Sequence, residues 1–244
     1  MNIGLLMING ENDILEEVLE SHCEIVDVFY TLDGTIPNDE SKAICMETGK
    51  CGGYITDAEL PRPRFTEKPV CGWRQAIYEM AVADHGWDHW FLVLHGDEIW
   101  TCAPEDIVVP GVDGYTMLLP FFFPREGEPW DYSKGAIEQL HWNLGPGFPE
   151  FRLFHGNPNV RYRESQRFNT MPEGLSSNLL VDAPILHYLY RSPEVQRARA
   201  AQHQQTEFDL DNYLHIVEDD VVYWNDERIK DYQAQAHFKE LTYV

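Results

Sequence analysis

Positive charge is scarce in this chain. Its 244 residues hold 18 lysines and arginines against 41 aspartates and glutamates, a formal net charge of -23. A surface this acidic repels nucleic-acid phosphates over most of its area, so no broad nucleic-acid binding face is expected. Cysteine is sparse as well: Cys23, Cys45, Cys51, Cys71 and Cys102, with no C-x-x-C pair. That argues against a disulfide framework and against a cysteine zinc site, and it suits a reducing compartment. No apolar run approaches the ~20 residues that span a bilayer, and no basic stretch with a long apolar segment opens the chain. The expectation is a cytoplasmic protein without a membrane span. Three glycine signatures are also missing: G-x-x-x-x-G-K-[ST], G-x-G-x-x-G after the first strand, and G-x-S-x-G. Their absence removes the common NTPase, dehydrogenase and α/β-hydrolase readings.

What is present supports a sizeable core, with 43% hydrophobic and 13% aromatic residues. Ile3 to Ile8 reads as a short strand, and Asn9 to Asp13 as a turn with helix N-cap chemistry. Residues 14–20 carry apolar side chains at helical spacing. Ile25 to Leu32 reads as a second strand, closed by the turn Asp33-Gly34-Thr35. Strand, helix, strand is the unit of a parallel sheet. Residues 36–69, rich in proline and glycine, read as an irregular excursion. Gly72 to Asp84 is expected to be a helix, Trp90 to Leu94 a strand buried on both faces, and Tyr115 to Leu119 another strand. Residues 124–150 read as a substrate-facing loop region in which Trp130, Tyr132, Trp142 and Phe148 have rings suited to sugar faces, although core packing explains Trp142 equally well. Residues 151–154 and 160–163 read as a hairpin, and Ile185 to Tyr190 as a last strand. Ser192-Pro193-Glu194 starts a helix well. Residues 1–200 are expected to form the catalytic domain, and 201–244 an acidic, helical extension packed on it.

The chemistry gathers at strand ends. Trp90 to Leu94 runs into His95-Gly96-Asp97-Glu98. In an open α/β sheet, ligands bind at the carboxyl ends of the strands. Two carboxylates and an imidazole placed there suit a divalent cation carrying a phosphorylated substrate; a solvated acidic turn is the plain alternative. Asp33 closes the second strand on the same edge, or is simply an Asp-Gly turn. His187 lies on an apolar strand; it is either a core histidine or a partner to Asp97 on Mn²⁺, which accepts both oxygen and nitrogen. Arg191 is placed to grip phosphate or to pair with a surface carboxylate. Arg161, Arg163, Arg167, Arg191, Arg197 and Arg199 form a local basic region suited to a small anion. His85 and His89 read as a helix-to-strand loop.

In order, these segments resemble the GT-A glycosyltransferases of the family 2-like group, from residue 3 to about residue 200. Leu5 to Leu15 resembles the first strand and its K-N-E turn, with Gly10 in the place of asparagine. Val26 to Thr35 is similar to the segment ending in D-D-G-S, with Leu32 in the place of the first aspartate. His95-Gly96-Asp97-Glu98 is similar to the D-A-D-E metal motif, with His95 in the place of its first acid. Arg152-Leu153-Phe154 through Glu173, then His187 to Ser192, resembles the R-L-F-R…H-E…H-Y-G-Y-R-S ending of one branch.

The resemblance implies an α/β fold of GT-A (Rossmann-like) type, with a mixed, mostly parallel central sheet flanked by helices. It implies an inverting transferase that uses a nucleotide diphosphate sugar, a UDP- or GDP-sugar, with Mn²⁺ or Mg²⁺. The acceptor hydroxyl is open: protein, glycan, lipid-linked sugar or modified nucleobase. Glu11, Asp33, Arg74, Asp97 and Arg191 are the implied donor contacts, and Asp97, His187 and His95 the metal ligands. Glu173 is the implied base, with Asp131 as the second candidate. A sugar nucleotidyltransferase, a catalytically inactive GT-A-like binding protein and an acidic nucleic-acid mimic are the competing readings.

Overall fold

The computed structural model describes residues 1–35, 39–56, 59, 70–123, 129–140, 142–162, 171–188, 192–195, 215–218, 221–224 and 238–243. Its first elements follow from the apolar runs. They are β1 (Asn2–Ile8), α1 (Leu15–Ile25), β2 (Val28–Asp33), α2 (Asp39–Glu47), β3 (Cys51–Thr56), α3 (Val70–His85), β4 (Trp90–His95) and β5 (Glu98–Trp100). There follow α4 (Pro104–Ile107), β6 (Gly114–Phe123), β7 (Trp142–His155), β8 (Leu179–Leu180), β9 (Ile185–His187), β10 (His215–Glu218), β11 (Val221–Trp224) and β12 (Phe238–Tyr243). The chain forms two units: residues 1–118 with 149–185, and residues 119–148 with 186–244.

In the first unit the strands run in the order β3-β2-β1-β4-β7. β1 is parallel to both β2 and β4, and β2 is parallel to β3. β7 joins antiparallel, with Phe91 opposite Phe154 and Leu92 opposite Leu153. This is the expected mixed, mostly parallel sheet flanked by helices. The register sets Ile8 against Asp33 and Met7 against His95, so the carboxyl ends of β1, β2 and β4 share one edge. From β1 the sheet grows first to β2 and β3, then on the other side to β4. The edge between β1 and β4 is therefore a topological switch point, where such sheets leave a ligand crevice.

Helix α1 buries Leu15, Val18, Leu19 and His22, and Glu16 and Glu17 in its first turn favour the helix dipole. The side-chain cap expected from residues 9–13 does not form; the helix opens at Ile14, whose N–H bonds the Glu11 carbonyl. Helix α3 lays Ile77, Tyr78 and Ala81 onto Leu5, Tyr30, Leu32, Phe91, Val93, Phe151 and Phe154. Close packing also fixes Gly4 in the central strand: an added Cβ would lie 2.7 Å from Leu94 Cδ1 and 2.8 Å from Phe29 Cβ. Gly4→Ala should cost about 1–3 kcal/mol through overpacking, read as a lower urea midpoint. An unchanged midpoint would mean that β1 and β2 can part without loss.

Four local expectations are corrected. Residues 36–69 are not wholly irregular, since α2 and β3 lie within them. Residues 151–154 do not form a hairpin with 160–163; they belong to β7 and pair with β4, while Arg161 bridges Glu173. Residues 124–150 are not all loop, because β7 begins at Trp142. The described parts of 201–244 are strands rather than helix. β10 and β11 form an antiparallel pair rich in β-branched and aromatic residues, and β12 pairs with the first half of β7. In this second unit Ser192 caps the helical turn after it, accepting the Val195 N–H at 3.3 Å. Among the described residues, no helix is long and apolar enough to cross a membrane.

Candidate functional site

Strand β4 is buried along Phe91 to His95, then turns through Gly96 and Asp97 into β5. The Gly96 N–H bonds the Met7 carbonyl at 3.0 Å, which ties the turn to β1. A side chain at position 96 would crowd Glu11, whose Cβ and Oε2 would lie 3.2 and 3.3 Å from the new Cβ. Glu11 is itself buried, and its Oε2 accepts the Asn9 N–H. Glycine thus lets the acidic turn after β1 lie against the acidic turn after β4.

His95, Asp97 and Glu98 are all buried, and one ligand atom from each lies within 4.8 Å of the others. Arg152 enters from β7, one residue beyond the Leu92–Leu153 pair. Its Nη2 donates to Glu98 Oε1 and to Glu150 Oε2, each at 2.6 Å. Its Nη1 lies 3.2 Å from His95 Nε2, and Arg74 Nη2 from α3 lies 3.4 Å from the same nitrogen. On the other side of the ring, His95 Nδ1 lies 3.1 Å from Glu98 Oε1. Burial above all holds the His95 pKa below its ordinary value; Glu98 opposes the shift and the two arginines add to it. The imidazole is therefore neutral near pH 7.

The turn after β2 is tied in by hydrogen bonds. Asp33 is buried; its Oδ1 accepts the Thr35 N–H at 2.7 Å and its Oδ2 accepts the Tyr54 hydroxyl. The Gly10 N–H donates to Thr35 Oγ1 at 2.8 Å, so the first two turns are joined. Burial first, then Asp33, pushes the Tyr54 phenol above its usual range.

The structure thus gathers Glu11, Asp33, Arg74, His95 and Asp97 at the carboxyl edge of the first unit. Glu173 is in the same unit, half-buried, exchanging backbone hydrogen bonds with Arg161. Next to Arg161, the Tyr162 N–H bonds Gln75 Oε1, the neighbour of Arg74 on α3. Asp131 lies in the second unit and serves a turn: Ser133 Oγ and N donate to its Oδ1 at 2.6 and 3.0 Å, and Lys134 Nζ is 3.2 Å from Oδ2. The Ser133 hydroxyl leads the effects that pull its pKa to about 2, which mismatches it to general-base work near neutrality. His187 is on β9 in the second unit, its ring edge-to-face with Phe121 at 5.1 Å. Arg191, with Arg163, Arg167, Arg197 and Arg199, lies outside the described residues, as do the side chains of Trp142 and Phe148. Tyr132 is exposed.

Sequence reasoning missed Arg152, Tyr54 and His22 as parts of this assembly, and placed Glu98 there without its partner. Arg152 had a signal: a charge inside Phe151-Arg152-Leu153-Phe154 must find a counter-charge once that run is buried. His22, on α1, is wholly buried near Glu98, His95 and Arg152, and burial lowers its pKa to about 4. The unfolded chain takes up this proton first, near its ordinary pKa of 6.5. Stability from this group is therefore complete above about pH 6.5 and falls by about 3 kcal/mol between about pH 6.5 and 4. His22→Leu should flatten urea-unfolding stability over that interval. Equal losses in both proteins would show that His22 titrates normally.

The fit to a divalent cation differs across the turn. Asp97 offers hard carboxylate oxygen, which suits Mg²⁺ or Mn²⁺ beside substrate phosphates. His95 offers two ring nitrogens that both face protein partners.

No family model matches the chain, and no curated protein matches its sequence. Among solved structures, HddC from Yersinia pseudotuberculosis aligns at 9% identity over 83% of this chain and 100% of its own, with a TM-score of 0.42. A Bacillus anthracis protein described as a glucose-1-phosphate thymidylyltransferase, in complex with a sucrose, aligns at 8% identity over 86% and 97%, with a TM-score of 0.41. A nucleoside-diphosphate-sugar pyrophosphorylase from Vibrio cholerae RC9 aligns at 12% identity over 78% and 92%, with a TM-score of 0.34. At these scores the likenesses decide nothing about the activity of this chain.

Proposed function

We propose that this chain is a glycosyltransferase that takes a nucleotide diphosphate sugar at the carboxyl edge of β1, β2 and β4 and moves its sugar to an acceptor hydroxyl with inversion. The supporting observation is the collection of Glu11, Asp33, Arg74, His95, Asp97 and Glu98 at the switch point of a mostly parallel sheet. Asp97 is the residue of the turn that would hold Mn²⁺ or Mg²⁺. The cation, when bound, neutralises the negative charge left on the departing diphosphate. Glu11, Asp33 and Arg74 shape the nucleotide end. Glu173 accepts the proton of the acceptor hydroxyl as its oxygen bonds the anomeric carbon from the face opposite the leaving diphosphate.

A sugar nucleotidyltransferase is the competing enzyme reading. It calls for a basic, glycine-rich loop after β1, and here that turn presents the buried Glu11. Two assays separate the readings. Titration calorimetry should detect UDP or GDP binding that requires Mn²⁺, and a panel of nucleotide sugars should show slow, Mn²⁺-dependent donor hydrolysis. Pyrophosphate release from a nucleoside triphosphate and a sugar 1-phosphate would replace this reading with the nucleotidyltransferase. A folded protein that binds no nucleotide diphosphate would overturn both.

A further inference from the structure

The ring of His95 meets Arg152, Arg74 and Glu98, and the chemistry of these groups fixes its role. A guanidinium only donates hydrogen bonds. Arg152 Nη1 and Arg74 Nη2, at 3.2 and 3.4 Å, both face His95 Nε2, so that nitrogen is the acceptor and its lone pair is committed to them. With Nε2 accepting, the ring's N–H is Nδ1, which faces Glu98 Oε1 at 3.1 Å. The same Glu98 oxygen accepts Arg152 Nη2 at 2.6 Å. His95, Glu98 and Arg152 therefore close a buried ring of hydrogen bonds, and Arg74 enters it from α3. A cation on Nε2 would replace those two bonds and stand against two buried positive charges.

We propose that His95 is not a metal ligand but a positioning residue: its Nε2 accepts from Arg74 and Arg152, its Nδ1 donates to Glu98, and the ring so fixes the turn presenting Asp97. This rests on the glycosyltransferase reading for what Asp97 does, but not for the state of the ring. The result is a division of labour inside His95-Gly96-Asp97-Glu98. Asp97 serves the ligand chemistry, while His95 and Glu98 brace the turn. The brace draws on α3 and β7 at once, so it also locks those elements to the end of β4.

Two measurements decide it. In protein labelled with ¹⁵N-histidine, long-range proton–nitrogen spectra at pH 7, with His95 assigned by its loss in His95→Asn, should show Nδ1 protonated and Nε2 bare. A proton on Nε2 overturns the proposal. Mn²⁺ is then added without nucleotide, and electron spin-echo spectra are compared between the wild type and His95→Asn. Asparagine keeps a donor toward Glu98, so any directly bound imidazole nitrogen seen in the wild type should persist unchanged. Loss of such a signal in His95→Asn overturns the proposal. Failure of the wild type to bind Mn²⁺ would count against the cation in the proposed function, while the ring spectra would still decide the role of His95.

Discussion

Arg152→Met should lower stability by about 3–5 kcal/mol, a loss on the scale of breaking a buried ion pair by removing one partner. The guanidinium is fully buried and meets Glu98, also fully buried, and Glu150, which is partly exposed. Methionine fills the volume but leaves Glu98 without its counter-charge and His95 with one donor fewer. For a chain of this size the midpoint of thermal unfolding should fall by about 6–20 °C. The double variant Arg152→Met with Glu98→Gln should recover much of the loss, because the orphaned charge is gone. Arg152→Lys should fall between the wild type and Arg152→Met, since a single ammonium does not span His95, Glu98 and Glu150 as the planar fork does. A loss under about 1 kcal/mol for Arg152→Met would show that the three groups interact little.

The second large effect is on turnover. Asp97→Asn should reduce Mn²⁺-dependent sugar transfer, or donor hydrolysis, by about 10²- to 10³-fold, the scale of removing one group that stabilises transition-state charge. Asparagine has the shape of aspartate, so the far-ultraviolet circular dichroism should not change. The Mn²⁺-dependent binding of UDP or GDP should weaken in the same variant, because the carboxylate acts through the cation. Unchanged turnover would take Asp97 out of the site and with it the metal assignment.

The sequence was most legible where burial is continuous. β1, β2 and β4 are apolar runs between polar turns, and their order alone placed Asp33 and Asp97 on one edge. It was least legible where glycine serves close approach rather than a turn. Gly52 and Gly53 read as punctuation, yet they lie in β3 because Tyr30 crosses them: an added Cβ on either would come within 2.9 Å of its ring. Gly145, Pro146 and Gly147 likewise read as loop but lie within β7. Within the site, the acidic turn was visible because its residues are adjacent. The Arg152–Glu98 pair was not, since it joins a charge on β7 to one at the start of β5. Local patterning has no term for such a pair until the strand order is known.

That separation bears on how the protein comes to exist. Glu98 leaves the ribosome 54 residues before Arg152, and for the whole of that interval the nascent chain carries an acid destined for a dry interior without its cation. The first strands can pair early, since their partners are near in sequence; the buried corner around His95 and Glu98 waits for a distant one. The order of synthesis thus keeps this corner open until β7 has been made, and a chain truncated before β7 should retain paired strands while lacking the Arg152–Glu98 contact.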